Sequence, residues 1–139
     1  MTERRPVTPE DLNQLQFVDA IALSPDGRRA IAQVDEGIIG LWLLDFARAT
    51  LTPFATSGGS SQAAVWTPDG KRVIYRGTRA GLRNLYWKSA DGTGEEQRLT
   101  EKPDVVQTPT SISPDGRWLA FNEEGKSHNA RGFWLLPLG

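Results

Sequence analysis

Cysteine is absent from this 139-residue chain, and histidine and methionine occur once each. Without cysteine there are no disulfides, no thiolate metal sites and no cysteine nucleophile. With His128 alone, a zinc site lacks the His and Cys ligands it needs. Charge of one sign is missing too. Lys and Arg total 16 against 17 Asp and Glu, for a net charge of −1, which gives no electrostatic case for nucleic acid or an anionic membrane. Long hydrophobic runs are lacking: Leu41–Leu44 is among the longest and is far too short to cross a bilayer. No apolar segment follows the opening Met-Thr-Glu-Arg-Arg-Pro, so no secretory leader is expected. The chain is expected to be soluble with the cytoplasm as default, although the sequence does not fix the compartment.

What is present is a globular composition, 38% apolar and 24% charged, in a length that buries roughly 68% of its unfolded surface. One tetrapeptide recurs: Ser24-Pro25-Asp26-Gly27, Thr67-Pro68-Asp69-Gly70 and Ser113-Pro114-Asp115-Gly116, with starts 43 and 46 residues apart. A large apolar residue precedes each copy (Leu23, Trp66, Ile112) and a basic one follows (Arg28, Lys71, Arg117). Proline second, a hydroxyl residue first and glycine fourth are the preferences of a type I turn. With apolar runs on both sides, each copy predicts a β-hairpin.

The flanking segments repeat as well. Arg29–Val34, Arg72–Gly77 and Arg117–Asn122 follow the turns, and aromatic-centred segments come next: 40–44, 84–88 and 132–136, with Trp42, Tyr86 and Trp134 in register. Several are apolar at successive positions, as in strands buried on both faces. Leu51–Phe54 and Gln97–Thr100 predict a fourth strand, and Pro53 places the first of these at a sheet edge. A period in the forties with four strands per unit specifies β-propeller blades. The fold expected is all-β: three blades of four antiparallel strands, the last lacking its outer strand, at about 20–55, 62–100 and 107–138. Residues 1–19 form an extension, and Thr8-Pro9-Glu10-Asp11 reads as the start of a short helix, with a capping threonine and early acids.

The Ser/Thr-Pro-Asp-Gly-basic repeat, with its aromatic strand about sixteen residues later, resembles the TolB-type, WD-like propeller repeat over about residues 20–138. The opening 8–18 resembles the start of the propeller in prolyl-oligopeptidase-type serine peptidases, and 62–138 resembles propellers attached to bacterial serine/threonine kinases. The resemblance implies rings of six or more blades, and a hydrolase or kinase domain beside them. Neither domain is in this sequence, so the catalytic residues of those families have no positions here.

No other chemistry emerges. His128 sits in a polar loop, where a solvated residue is a better reading than a base or ligand. Ser60 and Ser61 follow two glycines, but the G-x-S-x-G elbow and the phosphate-loop pattern are both missing. Asp26, Asp69 and Asp115 read as turn residues rather than a ring of cation ligands. Glu123 and Glu124 have no partner carboxylate for glycosidase chemistry. The five tryptophans, Trp42, Trp66, Trp87, Trp118 and Trp134, suit packing between blades better than stacking of sugars or bases. Arg28, Arg29, Lys71, Arg72 and Arg117 read as solvated turn neighbours. No catalytic, cofactor-binding or metal-binding residue is therefore assigned, and no cofactor is expected. Three blades do not close a ring, so the expected partners are a second copy, giving six blades, and a protein or peptide ligand. The function expected is a non-catalytic binding or scaffold module. The alternative is an accessory propeller segment of a peptidase or kinase that gates or recognises peptide substrate.

Overall fold

All three tetrapeptides close hairpins by one construction. The N–H groups of Gly27, Gly70 and Gly116 donate to the carbonyls of Ser24, Thr67 and Ser113 at 2.8–2.9 Å. These glycines lie at φ of +71°, +71° and +74°, which costs glycine little and other residues more. The first-position hydroxyl does two jobs. Ser24 Oγ donates to Asp26 Oδ1 at 2.7 Å and accepts the Arg29 N–H at 3.0 Å. Thr67 and Ser113 repeat this with Asp69 and Arg72, and with Asp115 and Trp118.

The computed structural model describes residues 18–125 and 131–139; the helix expected from Thr8 and the His128 loop lie outside them. Blade 1 is β1 (Val18–Leu23), β2 (Arg29–Asp35), β3 (Ile39–Asp45) and β4 (Thr50–Ala55), paired in that order. Blade 2 is β5 (Ser61–Trp66), β6 (Arg72–Arg79), β7 (Leu82–Ser89) and the short β8 (Gln97–Arg98). Blade 3 is β9 (Val105–Ile112), β10 (Trp118–Gly125) and β11 (Arg131–Pro137). Within each blade the strands pair antiparallel. A single parallel bridge, Arg83 to Val106, joins β7 to β9. Pro53 does lie on an edge strand. The second strands run longer than expected, while β8 covers only two of the four residues expected as strand. Each first strand slips its register once: between Val18 and Ala20, between Gln62 and Val65, and opposite the Ala120–Phe121 step. At the second of these Ala63 takes φ +59°.

Because the turns are alike, residues at equal distance beyond the turn glycine are equivalent. Five beyond come Ala32, Tyr75 and Phe121, which lie opposite Trp42, Tyr86 and Trp134. Alternation along the strands then assigns each residue to one of two faces. The forward face of blade 1 (Ile31, Leu41, Leu43) meets the backward face of blade 2 (Val73, Tyr75, Tyr86) in one buried cluster, completed by Phe54 and Trp66. The forward face of blade 2 (Ile74, Leu85, Trp87) meets Leu119, Phe121 and Leu136 of blade 3 in another. Val73-Ile74-Tyr75 is thus apolar at every position because blade 2 has a neighbour on each side, and all three are fully buried. Truncating Ile74 to alanine removes packing from the joint between blades 2 and 3. We expect it to lower unfolding stability by about 2–5 kcal/mol, read from the shift of the urea midpoint at unchanged slope.

Candidate functional site

The turn carboxylates do not form a common site. Each is consumed by its own turn, and each is held below the usual aspartate range. For Asp26 the main cause is the Arg28 N–H, followed by the Ser24 hydroxyl. For Asp69 and Asp115 the hydroxyls of Thr67 and Ser113 come first. Asp91, in the turn after β7, accepts from both the hydroxyl and the N–H of Thr93 and is pulled to about 2. Among the described residues no group of three or more His, Cys, Asp or Glu side chains is placed to hold a metal ion, and no helix is long and apolar enough to cross a membrane.

Two polar clusters lie between blades. In the first, Arg79 makes a two-pronged bond to Glu96 at 2.8 and 2.9 Å. It also donates to the Ser60 carbonyl and the Ser61 hydroxyl. Tyr75 donates its phenol to Glu96 at 2.6 Å. Burial opposes ionisation of Glu96, but the bonds from Arg79 and Tyr75 outweigh it and bring its pKa down. Burial and the adjacent carboxylate push the Tyr75 phenol far up, so it stays a donor. Ser60 and Ser61 are therefore parts of a clasp. The Ser60 hydroxyl also accepts the Ile39 N–H of blade 1. A Cβ on Gly59 would stand 2.0 Å from the Thr78 carbonyl oxygen, so the double glycine answers a close backbone approach.

In the second cluster the Asn84 amide, fully buried, donates to the Lys102 carbonyl and to Gln107 Oε1. Gln107 donates to Glu123, which also pairs with Lys102. Glu123 thus serves a joint, and Glu124 pairs with Arg131 at 3.2 Å. Arg29 and Arg72 are not merely solvated. Arg29 bonds the carbonyls of Gly70 and Ala90 across the joint and lies over Trp66, and Arg72 stacks on Trp87 at 3.9 Å. Their even spacing in the repeat was the available signal. Arg79, Glu96 and Asn84 left no such signal, because they fall outside the repeated tetrapeptide.

A cleft of about 540 Å³ lies among the turns of blades 2 and 3, lined by Asp69, Arg72, Trp87 and Asp115 among others, and the disc face opposite the Pro-Asp-Gly turns is open as well. There a cleft of about 590 Å³ opens between blades 2 and 3, lined by Leu82, Arg83, Pro103, Val105 and Glu124 among others. Its size is that of an ordinary ligand cleft. The tryptophans divide. Trp66 is buried and donates its indole N–H to the Ala22 carbonyl at 2.8 Å. Trp42 and Trp87 pack against apolar clusters. Trp118 and Trp134 do not fit the expectation of packing between blades: they are 44% and 54% exposed on blade 3, where Trp118 faces away from blade 2.

No known family model matches the chain. It is 33% identical over 100 residues to the Tol-Pal system protein TolB of Anaeromyxobacter dehalogenans (strain 2CP-C), covering 71% of this chain and 23% of that protein. A solved structure described as TolB from Agrobacterium tumefaciens superposes with a TM-score of 0.70 at 28% identity, over 88% of this chain and 44% of that one. The chain is built of TolB-type β-propeller blades. The TolB-type repeat also extends to an uncharacterized peptidase, YuxL, of Bacillus subtilis (strain 168), 30% identical over 118 residues, 79% of this chain and 18% of that protein. A prolyl endopeptidase structure shares the fold at a TM-score of 0.71 and 18% identity, over 88% of this chain and 20% of that one. The TolB-type chain described here spans about a fifth of the length of these curated relatives.

Two outcomes follow from these interactions. A carboxyl whose folded pKa is depressed adds stability that is present above its unfolded pKa and lost as pH falls through the folded one. With four aspartates depressed from 3.8, one of them to about 2, the melting temperature should hold steady above pH 5 and fall between about pH 4 and pH 2. Scanning calorimetry across that range reads it. Replacing Arg79 with alanine strands Glu96 and the Ser61 hydroxyl, and we expect a loss of about 2–3 kcal/mol in urea unfolding, given their partial exposure.

Proposed function

We propose that the chain is a non-catalytic binding module that takes an extended peptide or protein segment on the disc face opposite the turns, with its ring completed by self-association into six blades. The observation that carries this reading is the pairing of two facts. The chemistry-bearing side chains between the blades are engaged in joints, and the cleft lined by Leu82, Arg83, Pro103, Val105 and Glu124 stands open on one face. Its lining mixes apolar side chains with charges of both signs, which suits a peptide better than a polyanion.

The likeness to YuxL and to prolyl endopeptidases supports a second reading, in which the segment recognises or gates peptide for an attached hydrolase. Peptide is the ligand in both cases. Titrating the chain into a fluorescein-labelled pool of random decapeptides should give saturable anisotropy in the micromolar range, reduced several-fold by Leu82→Glu. Glycyl-prolyl-p-nitroanilide should release no product. Absence of binding overturns the module reading, and hydrolysis overturns its non-catalytic part.

A further inference from the structure

The residue six positions beyond the turn glycine is Gln33 in blade 1, Arg76 in blade 2 and Asn122 in blade 3. In the first two blades this side chain reaches the inner strand of the next blade. Gln33 Oε1 accepts the Ala63 N–H of β5 at 2.8 Å. Arg76 Nη1 donates to the Thr108 hydroxyl of β9 at 2.7 Å. The switch from acceptor to donor has a cause: the place of Ala63 is taken in β9 by Pro109, which has no N–H. In blade 3 the same position carries Asn122, and the buried Arg76 Nε and Asn122 Oδ1 both lack a hydrogen-bond partner among the described residues.

The apolar residues around this position separate blade 3 from the other two. Opposite Gln33 and Ile31 stand Leu41 and Leu43, both buried. Opposite Arg76 and Ile74 stand Leu85 and Trp87, which pack against blade 3. Their counterparts opposite Asn122 and Ala120 are Phe133 and Leu135, which are 87% and 66% exposed. At the other end of the arc Ile21 and Leu23 are 43% and 63% exposed, and they occupy the places of Ala64 and Trp66, with which blade 2 plugs onto blade 1. Ala30, Ala32, Val34 and Leu44 behind them are already buried in their own cluster, so a contact there falls on the inner strand.

We propose that the forward face of blade 3 is a docking surface for β1 of a second copy of this chain. Phe133 and Leu135 pack on Ile21 and Leu23, which hold the places of Ala64 and Trp66. The contact repeats the joint between blades 1 and 2. It is head-to-tail, and two three-blade arcs close on each other through two such joints. This inference rests on the self-association reading above and names its surface.

Sedimentation equilibrium of the 139-residue chain tests it. The expected mass is twice 15.3 kDa at micromolar concentration. Phe133→Glu and, on the opposite side of the joint, Leu23→Glu should each yield folded monomers with unaltered far-ultraviolet dichroism. A chain that stays monomeric at 100 µM (about a hundred-fold above that range) overturns the proposal. So does a dimer that neither substitution weakens. If the decapeptide assay still shows binding by a monomer, the joint falls and the binding module stands.

Discussion

A sheet has two faces, and where both carry apolar side chains both must be kept from water. Blade 2 meets this condition within the chain. Val73 and Tyr75 lie against blade 1 while Ile74 and Leu85 lie against blade 3. The remaining features serve or follow from it. The turns fix register so that the alternation falls on the correct faces. Arg29, Arg79 and Asn84 satisfy backbone and side-chain polar groups at the joints. Large apolar side chains are exposed at the two ends of the arc, where the stacking stops.

The fold was legible because the repeat is written in residues with strong local meaning. Proline, aspartate and glycine define the turn, and three copies define the period. The positions of Trp42, Tyr86 and Trp134 then followed by register, although the loops before them differ in length. The hydroxyl at the start of each turn accepts the backbone N–H five residues on. Its second bond, to the aspartate two residues on, explains why serine or threonine precedes that acid.

The polar joints were far less legible. Glu96 comes from the irregular segment between β7 and β8, and its pairing with Arg79 depends on a fold-back that no spacing announces. The same holds for Asn84 and Gln107, neutral residues whose bonding is set by which carbonyls the chain brings near. Arg29 and Arg72 recur in step, but recurrence alone does not separate a solvated guanidinium from one that spans a joint. Trp118 and Trp134 show the limit from the other direction. Trp118 faces away from blade 2, while Trp134 shares a face with the buried Phe121 and still stands 54% exposed.

The joints are also not interchangeable. Gln33 offers an acceptor to a backbone N–H, whereas Arg76 offers a donor to a hydroxyl because proline stands where that N–H would be. An unequal recombination that deleted the middle repeat would set Gln33 opposite Pro109 and Thr108, where it would lose the backbone N–H it accepts from Ala63 and meet only a hydroxyl. The order of the repeats therefore decides which bond each joint makes, a backbone N–H at one and a side-chain hydroxyl at the next.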